Sequence, residues 1–154
     1  MKNDNQTKIL SENKKFLEES VYWLKRSFTI CNEKFKIEDL SEEGFDAFES
    51  LTSRFARTTD ILFNKVFRSI VYLEEGTVNT WLDTLIYMEK QGLISSTEDA
   101  RLVKELRNDI VHEYVISDLK QLFVEVLNNC TLVFNFVDNT LQYVDNLTDK
   151  LEGK

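Results

Sequence analysis

The chain has 154 residues and a mass of 18.1 kDa, which fits one domain with a single core. Its formal net charge of −8 argues against non-specific coating of nucleic acid, although it does not exclude a local basic site. No apolar run approaches the roughly 20 residues of a transmembrane helix, and the polar N-terminus lacks a signal-peptide pattern, so we expect a cytoplasmic protein without membrane contact.

The absence of proline and the presence of only four glycines favour an all-α fold, because these two residues are the strongest helix breakers. Apolar residues recur at steps of three and four from the start, which predicts a first helix to about Lys34. Asp39 or Ser41 then provides an N-cap, and a second helix of about 30 residues continues to Gly76.

Three further helices are predicted from local capping signals and apolar periodicity. Thr77 can cap a shorter third helix, and the capping-box spacing near Ser96 predicts the start of a fourth. Ser117 indicates the N-cap of a last helix of about 45 Å. We therefore expect one all-α domain, a bundle of four to five helices with a long C-terminal helix, in which residues 1–8 and 149–154 form frayed tails.

Most catalytic signatures are absent. The sequence has no glycine-rich phosphate loop and only one histidine, and nothing in it indicates a metal or another cofactor. Cys31 and Cys130 lie within apolar periodic stretches, so we expect reduced core residues. The aromatic residues, including Trp23 and Trp81, also follow the apolar periods and are expected in the core or at an interface.

The exception is the segment from Arg107 to Tyr114. His112, the one histidine of the chain, follows Arg107 by five positions, with Asn108 beside the arginine and Tyr114 two places beyond the histidine. Histidine exchanges protons near neutral pH, whereas arginine keeps its charge and matches phosphate geometry. These residue types suit phosphodiester cleavage, in which a base takes the proton of a ribose 2′-hydroxyl and arginine stabilises the phosphoryl oxygens.

Helix geometry sets a condition on this interpretation. Residues five apart differ by about 140° around an ideal helix, so Arg107 and His112 do not share a face, whereas Asn108 and His112 do. Arg107 and His112 can therefore act on one phosphate only if the helix breaks after Arg107, or if a two-fold dimer brings two copies of the motif together. In the structural alternative, His112 is a helix-terminal histidine and Arg107 pairs with Glu105 or Asp109 on the surface.

This segment resembles the signature of the HEPN superfamily, small all-α proteins with an arginine, four to six residues, and a histidine. The form with a tyrosine two places after the histidine is similar to that of HepT toxins, which are encoded beside a minimal nucleotidyltransferase antitoxin. Arg107, Asn108, His112 and Tyr114 match this pattern position by position. Outside these eight residues the resemblance is only architectural.

The resemblance implies a HEPN-like helical homodimer with facing motifs and metal-independent endoribonuclease activity on RNA. Arg107 would stabilise the phosphate, Asn108 would orient the histidine or the phosphate, and His112 would act as general base or acid. The implied antitoxin mechanism is AMP transfer to Tyr114 by the nucleotidyltransferase. The alternative is a non-catalytic HEPN binding module or the substrate-binding subunit of a nucleotidyltransferase.

Six cations near this segment are candidates for binding RNA or the partner. Four of them fall within an arc of about 80° on the second helix: Arg54, Arg57, Lys65 and Arg68. On the fourth helix, Arg101 and Lys104 extend positive charge toward the motif. The alternatives are an ordinary solvated face paired with acidic neighbours, or a surface that binds the antitoxin.

Overall fold

The computed structural model describes residues 2–112 and 116–153, and throughout these ranges the chain is all-α, without a strand. The described residues form five helical rods, the second of which joins three segments end to end. The elements in chain order are α1 (Lys2–Lys34), a 3₁₀ turn (Ile37–Asp39), α2 (Glu42–Asp60), a π-helix (Ile61–Phe67), α3 (Arg68–Glu75), α4 (Trp81–Lys90), α5 (Thr97–His112) and α6 (Ile116–Leu151). This architecture confirms the predicted all-α, single-domain bundle with a long C-terminal helix.

The core lies between α1, α2 and α6, which pack against one another along their apolar sides. Fully buried leucine and phenylalanine side chains such as Leu17, Leu24 and Phe55 each contribute about 1.5–3 kcal/mol relative to an exposed position. Helix α5 packs on α2 and α6, and its core-facing residues Ala100 and Val103 are both 0% exposed. This packing places the last turns of α5, with the motif, beside the end of α2. Within the described ranges, no helix is both long and apolar enough to cross a membrane.

Local capping signals predicted several helix ends correctly. The Ser41 hydroxyl accepts the Gly44 N–H at 3.1 Å to begin α2. The first helix ends at Lys34, as the apolar periodicity predicted. Gly76 ends α3 with a φ of 80°, the left-handed conformation that glycine adopts without a steric penalty. The Ser96 hydroxyl accepts the Asp99 N–H at 3.0 Å at the start of α5.

Other predicted ends are corrected. The third-rod N-cap is Thr80 and not Thr77, because only Thr80 has an acidic residue, Asp83, three places later to complete a capping box. Ser117 lies inside α6, whose 36 residues span about 54 Å. The segments predicted as frayed tails are helical over residues 2–8 and 149–151.

The second rod contains a feature that apolar periodicity did not predict. Between α2 and α3 the chain forms a π-helix, Ile61–Phe67, whose residues Leu62, Phe63, Val66 and Phe67 are buried. The backbone stays right-handed on both sides, so the rod is continuous. Such π segments are rare and occur frequently at functional sites. This one begins immediately after Asp60.

Candidate functional site

The motif lies on the last turns of α5, which continues without a break through His112. Val103 and Leu106 face the core, so Arg107 lies at the margin of the buried side and is half-buried. His112 is exposed on the opposite side of the helix. A helix break after Arg107 is therefore excluded, and a single chain does not bring Arg107 and His112 onto one face.

Arg107 forms a two-point ion pair with Asp60, the last residue of α2. Its Nε donates to Oδ1 at 2.7 Å and its Nη2 donates to Oδ2 at 3.0 Å. The hydrogen bond to Asp60 raises the pKa of Arg107, against a smaller lowering by burial. The expected partners Glu105 and Asp109 are thus wrong. The actual partner is 47 positions away in the sequence, where no local rule would find it.

The ion pair orients the guanidinium without using all of its donors. A guanidinium carries five N–H groups in one plane. Asp60 accepts two of them, and Nη1 directs a third toward Oδ1 of Asn108 at 3.4 Å, a long contact. Two N–H groups of Arg107 remain for other acceptors. A pre-oriented arginine with free donors suits two-point binding of a phosphoryl group.

Asn108 and His112 share the outward face of α5, because they are four residues apart. The His112 side chain is exposed and makes no hydrogen bond to any residue in the described ranges, so its ring is accessible for proton transfer. The Asn108 side chain is half-buried, and its Oδ1 lies 3.4 Å from Nη1 of Arg107. Tyr114 lies outside the described residues.

Protein-family models, curated proteins and solved structures contain no match to this chain. The HEPN resemblance therefore rests on the residues of the motif alone.

The basic residues predicted on the second helix line a series of connected surface cavities. Arg54 and Arg57 share one cavity, Arg57 and Lys65 a second, and Lys65 and Arg68 a third. A fourth cavity, lined by Arg68 and Lys104, extends the series to α5. None of these cations forms a salt bridge with a described residue. Carboxylates nevertheless line two of the cavities: Asp46 and Glu49 lie beside Arg54 and Arg57, and Glu19 lies beside Arg57 and Lys65. The interpretation as a face with acidic neighbours therefore remains open for this part of the helix.

Arg54, the first of these cations along the chain, already contacts side chains of α1. Arg54 donates to Ser27 Oγ at 2.7 Å, and its guanidinium lies 5.2 Å from the Trp23 ring centroid. Trp23 is 41% exposed, so it lies at the surface and not in the core. Arg101 is exposed on α5. Arg54 therefore serves α1–α2 packing, whereas Arg57, Lys65 and Arg68 face solvent.

A second carboxylate, Glu74, joins three helices near the end of α3. Its Oε1 accepts hydrogen bonds from Tyr87 on α4, at 3.0 Å, and from Tyr143 on α6. Burial, followed by the bond to Glu74, raises the pKa of Tyr87 to about 12. Sequence reasoning found no role for these tyrosines, because their common partner lies on another helix. The cluster holds α4 in place beside the cavity at Arg68.

Proposed function

We propose that the protein is a metal-independent endoribonuclease toxin of HepT type, with a cleavage site that forms where two copies face one another. The observation that carries this proposal is the two-point ion pair of Arg107 with Asp60. It orients the guanidinium and leaves donors free, on the helix that also carries the half-buried Asn108 and the exposed His112.

The proposed reaction is a transesterification within the RNA chain. The imidazole of one His112 takes the proton of a ribose 2′-hydroxyl, and the oxygen attacks the adjacent phosphorus. The bond from phosphorus to the 5′-oxygen breaks, and a second imidazole donates the proton that the leaving oxygen needs. The products are a 2′,3′-cyclic phosphate and a 5′-hydroxyl. Arg107 stabilises the negative charge that develops on the phosphoryl oxygens.

The dimer supplies what one chain lacks. Each chain has one histidine, and α5 separates it from Arg107 by about 140° around the helix. A two-fold axis beside the outward face of α5 would place two copies of His112 together, with one Arg107 at the margin of each helix. Asn108, on the same face as His112, would orient the imidazole or the phosphate.

Neutralisation by AMP transfer follows from the resemblance. The Tyr114 hydroxyl would attack the α-phosphate of ATP on a minimal nucleotidyltransferase, with pyrophosphate as the leaving group. The attached phosphate would add negative charge beside the motif and repel RNA.

The test is incubation of the purified protein with single-stranded RNA and tRNA in EDTA. We expect His112→Ala and Arg107→Ala to lose cleavage by about 10²-fold or more while the helical circular dichroism stays unchanged. Asp109→Ala is the matched control, because Asp109 is exposed between the two residues and is not part of the pattern. Cleavage by His112→Ala at the parent rate would refute the site.

The second candidate is a non-catalytic module that binds a nucleotidyltransferase. The separation of Arg107 and His112 on an unbroken α5 favours it, because a monomer then has no assembled site. Absence of cleavage by a dimer whose Tyr114 is unmodified by mass spectrometry would favour this alternative.

A further inference from the structure

Two of the surface cavities meet at Arg68, and together we call them the Arg68 groove. One cavity, of roughly 410 Å³, lies between α1, the π-helix and α3; the other, of roughly 340 Å³, lies between the π-helix, α4 and α5. Both include Asn64 and Arg68 in their walls, so they adjoin at these two residues. Its cationic and aromatic lining residues are Phe63, Lys65, Arg68, Tyr72, Trp81 and Lys104.

The charge of the Arg68 groove is opposite to that of the whole chain. Lys65, Arg68 and Lys104 all line it, and no aspartate or glutamate of the described residues does. None of the three forms a salt bridge within residues 2–112 and 116–153. In a protein of net charge −8, three uncompensated cations in one groove repel one another and attract an anion.

The other lining groups fit nucleotides better than a simple anion. Tyr72 is 36% exposed, and the Trp81 ring lies 5.4 Å from Lys104 Nζ. Asn64 and Asn79 add carboxamides, which both donate and accept hydrogen bonds as base edges require. A basic groove with aromatic side chains is typical of single-stranded nucleic-acid binding, in which bases stack and phosphates meet cations.

The Arg68 groove also leads to the motif. Lys104, at its end, precedes Arg107 by three residues on α5, a spacing that puts side chains about 5–6 Å apart at Cβ. A single nucleic-acid strand bound in the groove would therefore continue toward the free donors of Arg107. We propose that the Arg68 groove binds single-stranded RNA next to the phosphate that is cleaved. This inference rests on the proposed endoribonuclease function, since it takes RNA as the substrate.

Binding is tested in the cleavage-deficient His112→Ala protein with a fluorescein-labelled 12-nucleotide RNA in EDTA. We expect Arg68→Gln with Lys104→Gln to weaken binding at least about tenfold, and to reduce the slope of log K against log salt by about 1.4, since each lost phosphate contact contributes about 0.7. The control removes two exposed cations of α1, Arg26 and Lys34, and is expected to leave the slope unchanged. Equal slopes in both double variants would overturn the proposal.

Trp81 provides a local readout. The chain has two tryptophans, so Trp23→Phe leaves Trp81 as the single tryptophan, whose emission is excited selectively on the red side of tyrosine absorption. RNA bound in the Arg68 groove is expected to change its emission with the same Kd as the anisotropy. Saturable RNA binding without a change in Trp81 emission would place the RNA elsewhere and overturn the proposal.

Failure of the groove and failure of the enzyme are distinguishable. Parent-level cleavage and affinity in Arg68→Gln with Lys104→Gln would overturn the groove and leave the endoribonuclease standing. RNA binding that depends on these two residues, without cleavage by the unmodified dimer, would uphold the groove and refute the enzyme. Displacement of the RNA by polyglutamate of matched charge, at equal concentration, would indicate an acidic protein partner and overturn the proposal.

Discussion

Replacement of Asp60 by asparagine tests whether the ion pair on α2 orients Arg107. The substitution keeps the shape of the side chain but removes its charge and converts one acceptor oxygen into an NH₂ group. Because the guanidinium only donates, at most one of the hydrogen bonds at 2.7 and 3.0 Å survives. Arg107 then rotates about the remaining contact, and its free donors lose their fixed direction.

The expected loss of stability is modest. The side chains of Arg107 and Asp60 are 26% and 37% exposed, so solvent screens the pair. Since the geometry is two-pointed, we expect the upper end of the range for exposed pairs, about 1 kcal/mol. This corresponds to a fall in Tm of about 2–4 °C for a domain of this size. The variant therefore stays folded at assay temperature.

The expected loss of activity is larger than the loss of stability. Under the proposed mechanism, in which Arg107 contacts the phosphoryl group, its misorientation should raise the barrier by about 1.4 kcal/mol, a tenfold lower kcat. KM should change by less than about twofold, because Asp60 would act through Arg107 and the substitution leaves the proposed RNA-binding groove intact. Asp60→Glu, which restores the charge, should recover part of kcat.

Initial rates in EDTA and urea unfolding followed by circular dichroism measure both effects. Asp138→Asn is the matched control, because this carboxylate lies 3.8 Å from Lys25 Nζ in a pair whose side chains are 50% and 64% exposed. We expect no loss of activity and a stability change below about 0.5 kcal/mol for the control. Cleavage by Asp60→Asn as fast as the parent, or faster, would refute an orienting role for the ion pair.

Two further predictions concern the core. Thr59 Oγ1 is buried without a partner among the described residues, whereas Thr58 shares a buried 2.7 Å hydrogen bond with Ser20. Thr59→Val should therefore stabilise the fold by about 1 kcal/mol, and Thr58→Val should destabilise it by about 1–3 kcal/mol in the same urea experiment; equal effects would contradict this reasoning. Burial raises the pKa of Cys31 from 9.0 to about 11 and also raises the pKa of Cys130, so the folded state holds both thiol protons more tightly. This contribution to stability is present below pH 9 and is lost as the pH rises through 9 toward 11, so the free energy of unfolding should be lower at pH 10.5 than at pH 8. In a separate experiment, Ellman's reagent at pH 8 should label neither thiol until urea is added. Rapid labelling of the native protein would contradict the burial of the two cysteines.

Much of the fold could be predicted because its signals are local. The apolar steps that join Leu17, Leu24 and Cys31 put these side chains on one face of any helix, and all three are buried. Ser41 and Gly76 act within one turn of the helix ends that they mark. The prediction at Thr77 was wrong by three residues, because Thr80 offers the same hydroxyl with a better-placed acidic partner.

For the candidate site, the sequence could predict which residues take part but not how they are arranged. Arg107, Asn108 and His112 are close along the chain, so their spacing alone suggests their chemistry. Helix geometry predicted that Arg107 and His112 lie on different faces of a continuous helix. It could not predict that α5 is continuous between them. Propensity is compatible with either outcome, since packing against other helices decides where a helix ends.

By itself, the sequence determined the helical elements, most of their caps and the residues of the motif, because each depends on neighbours within about one or two turns. The tertiary structure alone decided that Asp60 forms an ion pair with Arg107 and that a π-helix begins directly after Asp60. It also decided that Lys104 meets Arg68 across a groove free of described carboxylates. These contacts join segments distant in the chain, and they depend on which helix faces pack together, a choice made by the whole core.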